Sequence, residues 1–160
     1  MTSVARLSLY SFLLFLFVAC TSVSDPYSLQ GEAYGTTWQI KFFEDQNVID
    51  KEELEIKVKE ELMRIDSIFS LYDKESSISK INKNKNLSWN NLPGKEDFQE
   101  LSKLSNEVVN NSNGSYEVFL NGEWDFNSVA KGYAVDRVCR ILELYNLKNY
   151  MVEICLLYTS

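Results

Sequence analysis

A chain of 160 residues with 45% hydrophobic and 24% charged content can hold one domain with a sizeable core and lacks the bias of a disordered segment. Its 16 basic against 23 acidic side chains, net −7, argue against nucleic acid as a partner and against an electrostatic hold on anionic lipid. With no histidine and only three cysteines, a zinc or haem site has little to work with and no disulfide framework is implied.

At the amino terminus Arg6 precedes an apolar run from Phe12 to Ala19. A bilayer-spanning helix needs about 20 apolar residues, so this run reads as the core of a secretory signal. It ends in Phe17-Val18-Ala19-Cys20, which resembles the lipobox at which bacterial lipoproteins are cut and acylated. Residues 1–19 are therefore expected to be a lipoprotein-type signal peptide and Cys20 the lipidation site, with a plain signal peptide cut nearby as the alternative. Losing Arg6 alone takes the net charge from −7 to −8, so any membrane attachment must come from acyl chains on Cys20. The expected location is exported and lipid-anchored, at the periplasmic face of the inner or outer membrane.

Residues 20–29, short and polar with Pro26, suit a tether, and the domain is expected to span residues 30–154. Trp38, Ile40 and Phe42 alternate with Thr37, Gln39 and Lys41, the pattern of a strand with one buried face. Leu54, Val58, Leu62, Ile65 and Phe69 then mark one face of a long helix for which Asp50 is a plausible cap. Residues Lys80–Asn91 read as loop and Pro93-Gly94 as a turn. A second helix follows with Phe98, Leu101, Leu104 or Ser105, and Val108 inward, stopped by the run from Asn110 to Gly114. A third helix is predicted from about Ser128 to Tyr145 with Val135, Val138, Leu142 and Tyr145 inward, and a strand over Asn149–Ile154.

The stretch from Trp124 to Val138 carries the most chemistry. An acidic residue at a strand end, a short polar turn and an immediate helix start would aim backbone N–H groups and a positive dipole end at one spot. Such a spot suits phosphate oxygens. Lys131, about one turn in, would add a full charge, and Gly132 removes a Cβ where a ligand or strand comes close. Asp125 and Ser128 are hard oxygen donors suited to Mg2+ or to a water in its shell. On physical grounds alone, an Asp or Asn capping a buried helix, with a solvated lysine, explains the same letters more often than not.

The run Ala130-Lys131-Gly132-Tyr133-Ala134-Val135-Asp136 resembles the signature of the ApbE family of flavin transferases. Three further pieces resemble that family in its own order: Ala33-Tyr34-Gly35-Thr36-Thr37-Trp38; Phe69-Ser70-Leu71-Tyr72 through Ser76 to Asn82; and Ser112-Asn113-Gly114-Ser115-Tyr116-Glu117-Val118. The resemblance implies an α+β fold, helices on a mainly antiparallel sheet, here truncated. It implies Mg2+-dependent transfer of FMN from FAD to a Thr or Ser hydroxyl of an acceptor protein, with release of AMP. By the same resemblance Tyr34, Tyr72, Ser115, Tyr116, Glu117, Asp125 and Lys131 fall at FAD contacts and Ser128 at the metal, with Asp125 the candidate catalytic base by position. Glu117 stands for the family's usual Asp and Tyr34 for its usual Met. The alternative reading is an exported lipoprotein that binds or hydrolyses FAD without transferring FMN.

Two departures set this chain apart from the family pattern. Phe119–Glu123 joins the Gly114 motif directly to Asp125, where the family carries several tens of residues. After Ile154, residues 155–160 read as a non-native tail in place of a second half with further metal ligands, so the chain is expected to be an inactive fragment.

Overall fold

The computed structural model describes residues 25–43 and 49–154; the expected signal peptide, Cys20 and the 155–160 tail lie outside the described residues. In chain order the elements are β1 (Tyr27–Ala33), β2 (Thr36–Phe42), α1 (Lys51–Phe69), α2 (Ser77–Lys83), a 3-10 turn (Trp89–Asn91), α3 (Lys95–Asn111), β3 (Phe119–Leu120), β4 (Glu123–Trp124), α4 (Asn127–Leu144) and β5 (Tyr150–Ile154).

The alternation read in the sequence is β2, whose Trp38, Ile40 and Phe42 are buried. β2 lies at the centre of a three-stranded antiparallel sheet, order β1-β2-β5, with Leu29 opposite Ile40 and Val152 opposite Ile40 on the other side. β1 was not anticipated: residues expected to be tether, Tyr27–Leu29, are strand, because Leu29 takes an inward position and Tyr27 pairs with Phe42. Tyr34 and Gly35, at φ of 56° and 68°, form the two-residue turn that joins the strands. Helix α1 packs on β1 and α4 on β5, giving the α+β arrangement of helices on an antiparallel sheet.

Helix α1 buries Leu54, Val58, Leu62, Ile65 and Phe69 as the periodicity required, and Ile68 beside them. Asp50 caps it, its Oδ1 accepting from the Glu53 N–H at 3.0 Å. The stretch read as loop from Lys80 is helical as far as Lys83. Ser76, fully buried, accepts the Ser79 N–H, and Ile78 and Ile81, three apart, sink into the core. These capping and packing contacts outweigh the weak helix preference of a Lys/Asn-rich run.

Helix α3 turns Phe98, Leu101 and Ser105 inward, whereas Leu104 and Val108 are exposed, so Ser105 takes the inner position left open between it and Leu104. Helix α4 starts at Asn127 and buries a four-residue ladder, Ala130, Ala134, Val138 and Leu142, together with Tyr133; Val135 and Tyr145 are only half-buried. Asn121-Gly122, both at positive φ, close a β3–β4 hairpin that the sequence reading missed although Asn-Gly is a strong hairpin signal.

An aromatic cluster locks the end of α1 to α3 and the start of α4. Trp89 stacks on Phe98 with centroids 4.1 Å apart, Trp124 lies parallel to Phe126 at 5.7 Å, and Phe69 meets Phe126 edge-on at 5.6 Å. Two sequence-distant segments, Phe69–Asp73 and Asn127–Lys131, are thereby held side by side.

Candidate functional site

Between those segments lies a cleft of about 690 Å³, lined by Tyr34 and Gly35 from the β1–β2 turn, Asp66 and Phe69 from α1, Ser70, Tyr72 and Asp73 from the following loop, and Asn127, Ala130 and Lys131 from α4. The volume lies within the roughly 300–1,000 Å³ usual for small-molecule sites. Of the residues singled out in the sequence, Tyr34, Tyr72 and Lys131 meet here. Asp66, Asp73, Ser70 and Asn127 were not anticipated; Ser70 and Asp73 flank Tyr72 and Asn127 lies one helical turn before Lys131, whereas Asp66 carries no such local signal.

The loop that carries Tyr72 is laced by serine hydroxyls. Ser76 and Ser79 both donate to the Ser70 carbonyl, at 2.6 and 3.2 Å, Ser70 Oγ accepts the Asp73 N–H at 3.3 Å, and Asp73 Oδ1 accepts the Glu75 N–H at 2.8 Å. Tyr72 itself is 92% exposed, its ring at the rim of the cleft.

On the opposite wall, the first turn of α4 is arranged as an anion-facing helix start only in part. Asp125 Oδ1 accepts the Asn127 N–H at 2.8 Å, and the Val129 and Ala130 N–H groups turn to the Phe126 carbonyl. Lys131 is exposed, and among the described residues no carboxylate pairs with it. Asp125 and Ser128 are exposed and do not line the cleft.

The Ser115–Glu117 segment is also not brought to the cleft. Ser115 and Glu117 are exposed, while Tyr116 packs against the core with its hydroxyl enclosed and without a hydrogen-bond partner.

Asp66 differs from the ion-paired carboxylates of the fold. Burial pushes the Asp66 carboxyl above its ordinary value, the Asp73 charge pushes it further, and the Ser70 hydroxyl only partly offsets them. No lysine or arginine among the described residues pairs with Asp66. By contrast Asp97, buried on α3, takes two bonds from Arg64, both 2.7 Å, and one from the Tyr133 hydroxyl at 2.9 Å.

The Ala130–Asp136 stretch therefore divides between two tasks. Lys131 faces the cleft, whereas Tyr133, together with Arg137 just beyond, joins a charged lattice: Tyr133 to Asp97 and Glu100, Arg137 Nε to Glu61 at 2.7 Å. This lattice clamps α4 to α1 and α3 and so fixes where Lys131 stands.

The donor set for a divalent cation is incomplete in this part of the molecule. Among the described residues no group of three or more His, Cys, Asp or Glu side chains gathers, and Ser128 stands apart from the cleft.

Comparison with known proteins bears on the Tyr34 and Tyr72 segments by sequence and on the whole arrangement by fold. The sequence profile of the ApbE family matches residues 34–124. No curated protein matches the chain. Among solved structures, the fold is similar to the flavin transferase ApbE of Vibrio cholerae, at 18% identity and a TM-score of 0.69 over 82% of this chain and 58% of that one. It is likewise similar to the apo flavinyl transferase ApbE of Pseudomonas stutzeri, at 19% identity and 0.70 over 84% and 60%. The ApbE protein of Thermotoga maritima superposes at 18% identity and 0.62 over 80% and 57%. The chain thus spans about three fifths of the length of the solved structures it matches.

Proposed function

The chain belongs to the ApbE family, and from that premise we propose that its cleft is the dinucleotide-holding part of an FAD:protein FMN transferase. The observation that carries the reading is the convergence of Tyr34, Tyr72 and Lys131, from three separate family-like motifs, on one cleft beside a helix start. Two aromatic faces suit the flat rings of FAD, and the Lys131 charge suits its diphosphate.

In the proposed reaction the hydroxyl oxygen of an acceptor Thr or Ser attacks the FMN-side phosphorus. A new P–O bond forms, the bond from that phosphorus to the bridging oxygen breaks, and AMP leaves with the electron pair. The family resemblance alone offers Asp125 for the hydroxyl proton; it stands outside the cleft lining with its Oδ1 on the Asn127 N–H, so the role needs an acceptor hydroxyl that reaches the cleft from that side. Mg2+ would neutralise charge on the diphosphate, with Ser128 as a contributing oxygen. The described residues do not fit a complete Mg2+ site, so no step is routed through the metal. The export signal, the acyl anchor on Cys20 and a position at the periplasmic membrane face belong to the same proposal.

A second reading is FAD binding or hydrolysis without FMN transfer, and the incomplete metal donor set among the described residues favours binding alone over either cleavage. One experiment tests the cleft assignment. The chain is titrated into FAD while flavin fluorescence is followed, then incubated with FAD, Mg2+ and an acceptor protein and examined for covalent flavin. Quenching that weakens in Lys131→Ala supports the cleft assignment, and its absence in the parent chain sinks it. Binding without covalent labelling is the expected result for these 160 residues, and robust labelling would overturn the fragment reading.

A further inference from the structure

Asp66 is the one carboxylate on the α1 wall of the cleft, half-buried and without a cationic partner among the described residues. A carboxylate withdrawn from water is normally paired. Helix α1 shows what pairing looks like: Glu61, five residues earlier, receives Arg64 at 2.8 and 2.9 Å and Arg137 at 2.7 Å. Among the described residues the Ser70 hydroxyl bonds to Asp66, and the neighbouring Asp73 adds repulsion. An ionised carboxylate accepts hydrogen bonds and donates none, so what completes it must be a donor.

The charges lining the cleft sort a nucleotide. Lys131 attracts phosphate, while Asp66 and Asp73 repel it. The part left to face α1 is a ring. We infer that Asp66 accepts a hydrogen bond from an N–H donor on the heteroaromatic ring of the nucleotide bound in the cleft, and that it sets which nucleotides the cleft takes. The inference rests on the reading of the cleft as a nucleotide site. Adenine offers such a donor in its exocyclic amine and flavin in its N3 imide. A divalent cation held by Asp66 and Asp73 is the less favoured occupant, because no third acidic, His or Cys group joins them among the described residues.

The test measures dissociation constants of the full chain, as wild type, Asp66→Ala, Asp66→Asn and Lys131→Ala, for FAD, FMN, AMP, inorganic pyrophosphate and Mg2+. Losing a charged acceptor should weaken FAD about tenfold or more in Asp66→Ala. Pyrophosphate should bind that variant equally well or more tightly, since a repelling charge has gone. Lys131→Ala should weaken pyrophosphate and FAD together. Whichever of FMN and AMP loses affinity in Asp66→Ala identifies the ring. The isosteric Asp66→Asn keeps the cavity filled, so a loss shared by both variants is not a packing defect.

The inference is overturned if Asp66→Ala binds FAD within about twofold of wild type. Equal losses for pyrophosphate and FAD, or a loss confined to Mg2+, would overturn it as well. If wild type binds neither FAD nor pyrophosphate, the nucleotide reading of the cleft falls and this inference with it. If Lys131→Ala behaves as stated and Asp66→Ala does not, only the role of Asp66 falls.

Discussion

Arg64 and Asp97, thirty-three residues apart, meet in a two-pronged pair, Nη1 to Oδ2 and Nη2 to Oδ1, each at 2.7 Å. The pair joins α1 to α3, and because Tyr133 donates to the same carboxylate at 2.9 Å it also joins both to α4. Geometry of this kind is stronger than an isolated surface ion pair, since one planar fork and one hydroxyl satisfy a carboxylate that is 8% exposed. Asp97→Ala would leave the guanidinium and the Tyr133 hydroxyl without their acceptor. The expected loss is about 2 kcal/mol of stability. Urea unfolding read by tryptophan fluorescence checks it, and an unchanged midpoint would refute the clamp.

Asn82 performs the work of a strand residue from the end of a helix. Its Nδ2 donates to the Trp124 carbonyl and its Oδ1 accepts the Trp124 N–H, both at 2.8 Å. Through this pair α2 holds the β3–β4 hairpin in place. Asn82→Asp would set a carboxylate oxygen against the Trp124 carbonyl, so it should destabilise more than Asn82→Ala, with the alanine variant losing about 1–3 kcal/mol. Thermal unfolding of the two variants side by side decides; equal stability to wild type would show the contact to be incidental.

The strand and helix faces were legible because their signals are local. Trp38, Ile40 and Phe42 alternate, and Leu54 to Phe69 repeat at three and four, whatever lies around them. Position of the domain start was not, since β1 is a strand by virtue of its partner: Tyr27 faces Phe42 across the sheet. The same limit applied at the site. Tyr34, Tyr72 and Lys131 could be named from motifs, but Asp66 enters the cleft only because the aromatic cluster lays the end of α1 against α4. Motif residues such as Ser76, Asn82 and Tyr133 turned out to hold the scaffold rather than line the cleft.

Gly94 and Gly35 make opposite demands on substitution. Both sit at positive φ, 82° and 68°. A Cβ at Gly94 would stand 2.6 Å from the Ile68 side chain, which is 1% exposed and cannot move aside, whereas nothing lies within 4 Å of a Cβ at Gly35. Gly94→Ala combines backbone strain with overpacking and should cost about 2–4 kcal/mol, against about 1 kcal/mol for Gly35→Ala. Denaturant midpoints of the pair test this ordering, and the reverse order would contradict the packing at Ile68.

Acid should unfold the domain through its charged lattice. Bonds from Arg64 hold Glu61 below the ordinary 4.5, against burial and with help from Arg137. Burial raises Asp97, but Arg64 and Tyr133 outweigh it and leave its carboxyl below 3.8; Arg140 lowers Glu100 likewise. Carboxyls depressed in the folded state stabilise it above their unfolded values, and that contribution is lost as pH falls from about 5 through the ordinary range towards the depressed values. Asp66 has the opposite sign, because its folded value is raised and protonation favours the folded form. Asp66→Asn should therefore raise stability at neutral pH, by less than about 1 kcal/mol since the group is partly solvated. Unfolding midpoints at neutral and at acid pH give both signs, and a wild-type midpoint flat across the acid range would sink the account.

Tyr72 separates function from folding more cleanly than any buried residue can. At 92% exposure its ring packs against little of the fold, yet it stands at the rim of the cleft on a loop tied down by Ser70, Ser76 and Asp73. A large apolar ring held in water gains its contacts only when a flat ligand arrives. Tyr72→Ala should leave the unfolding midpoint within about 0.5 kcal/mol of wild type. FAD binding should weaken about two- to tenfold, the range expected when one aromatic contact is lost. Tyr72→Phe keeps the ring and should bind as wild type does, since stacking and not the hydroxyl is at issue. Flavin fluorescence titrations of the three proteins check this, and equal quenching by Tyr72→Ala and wild type would remove the ring from the binding site while leaving the fold as described.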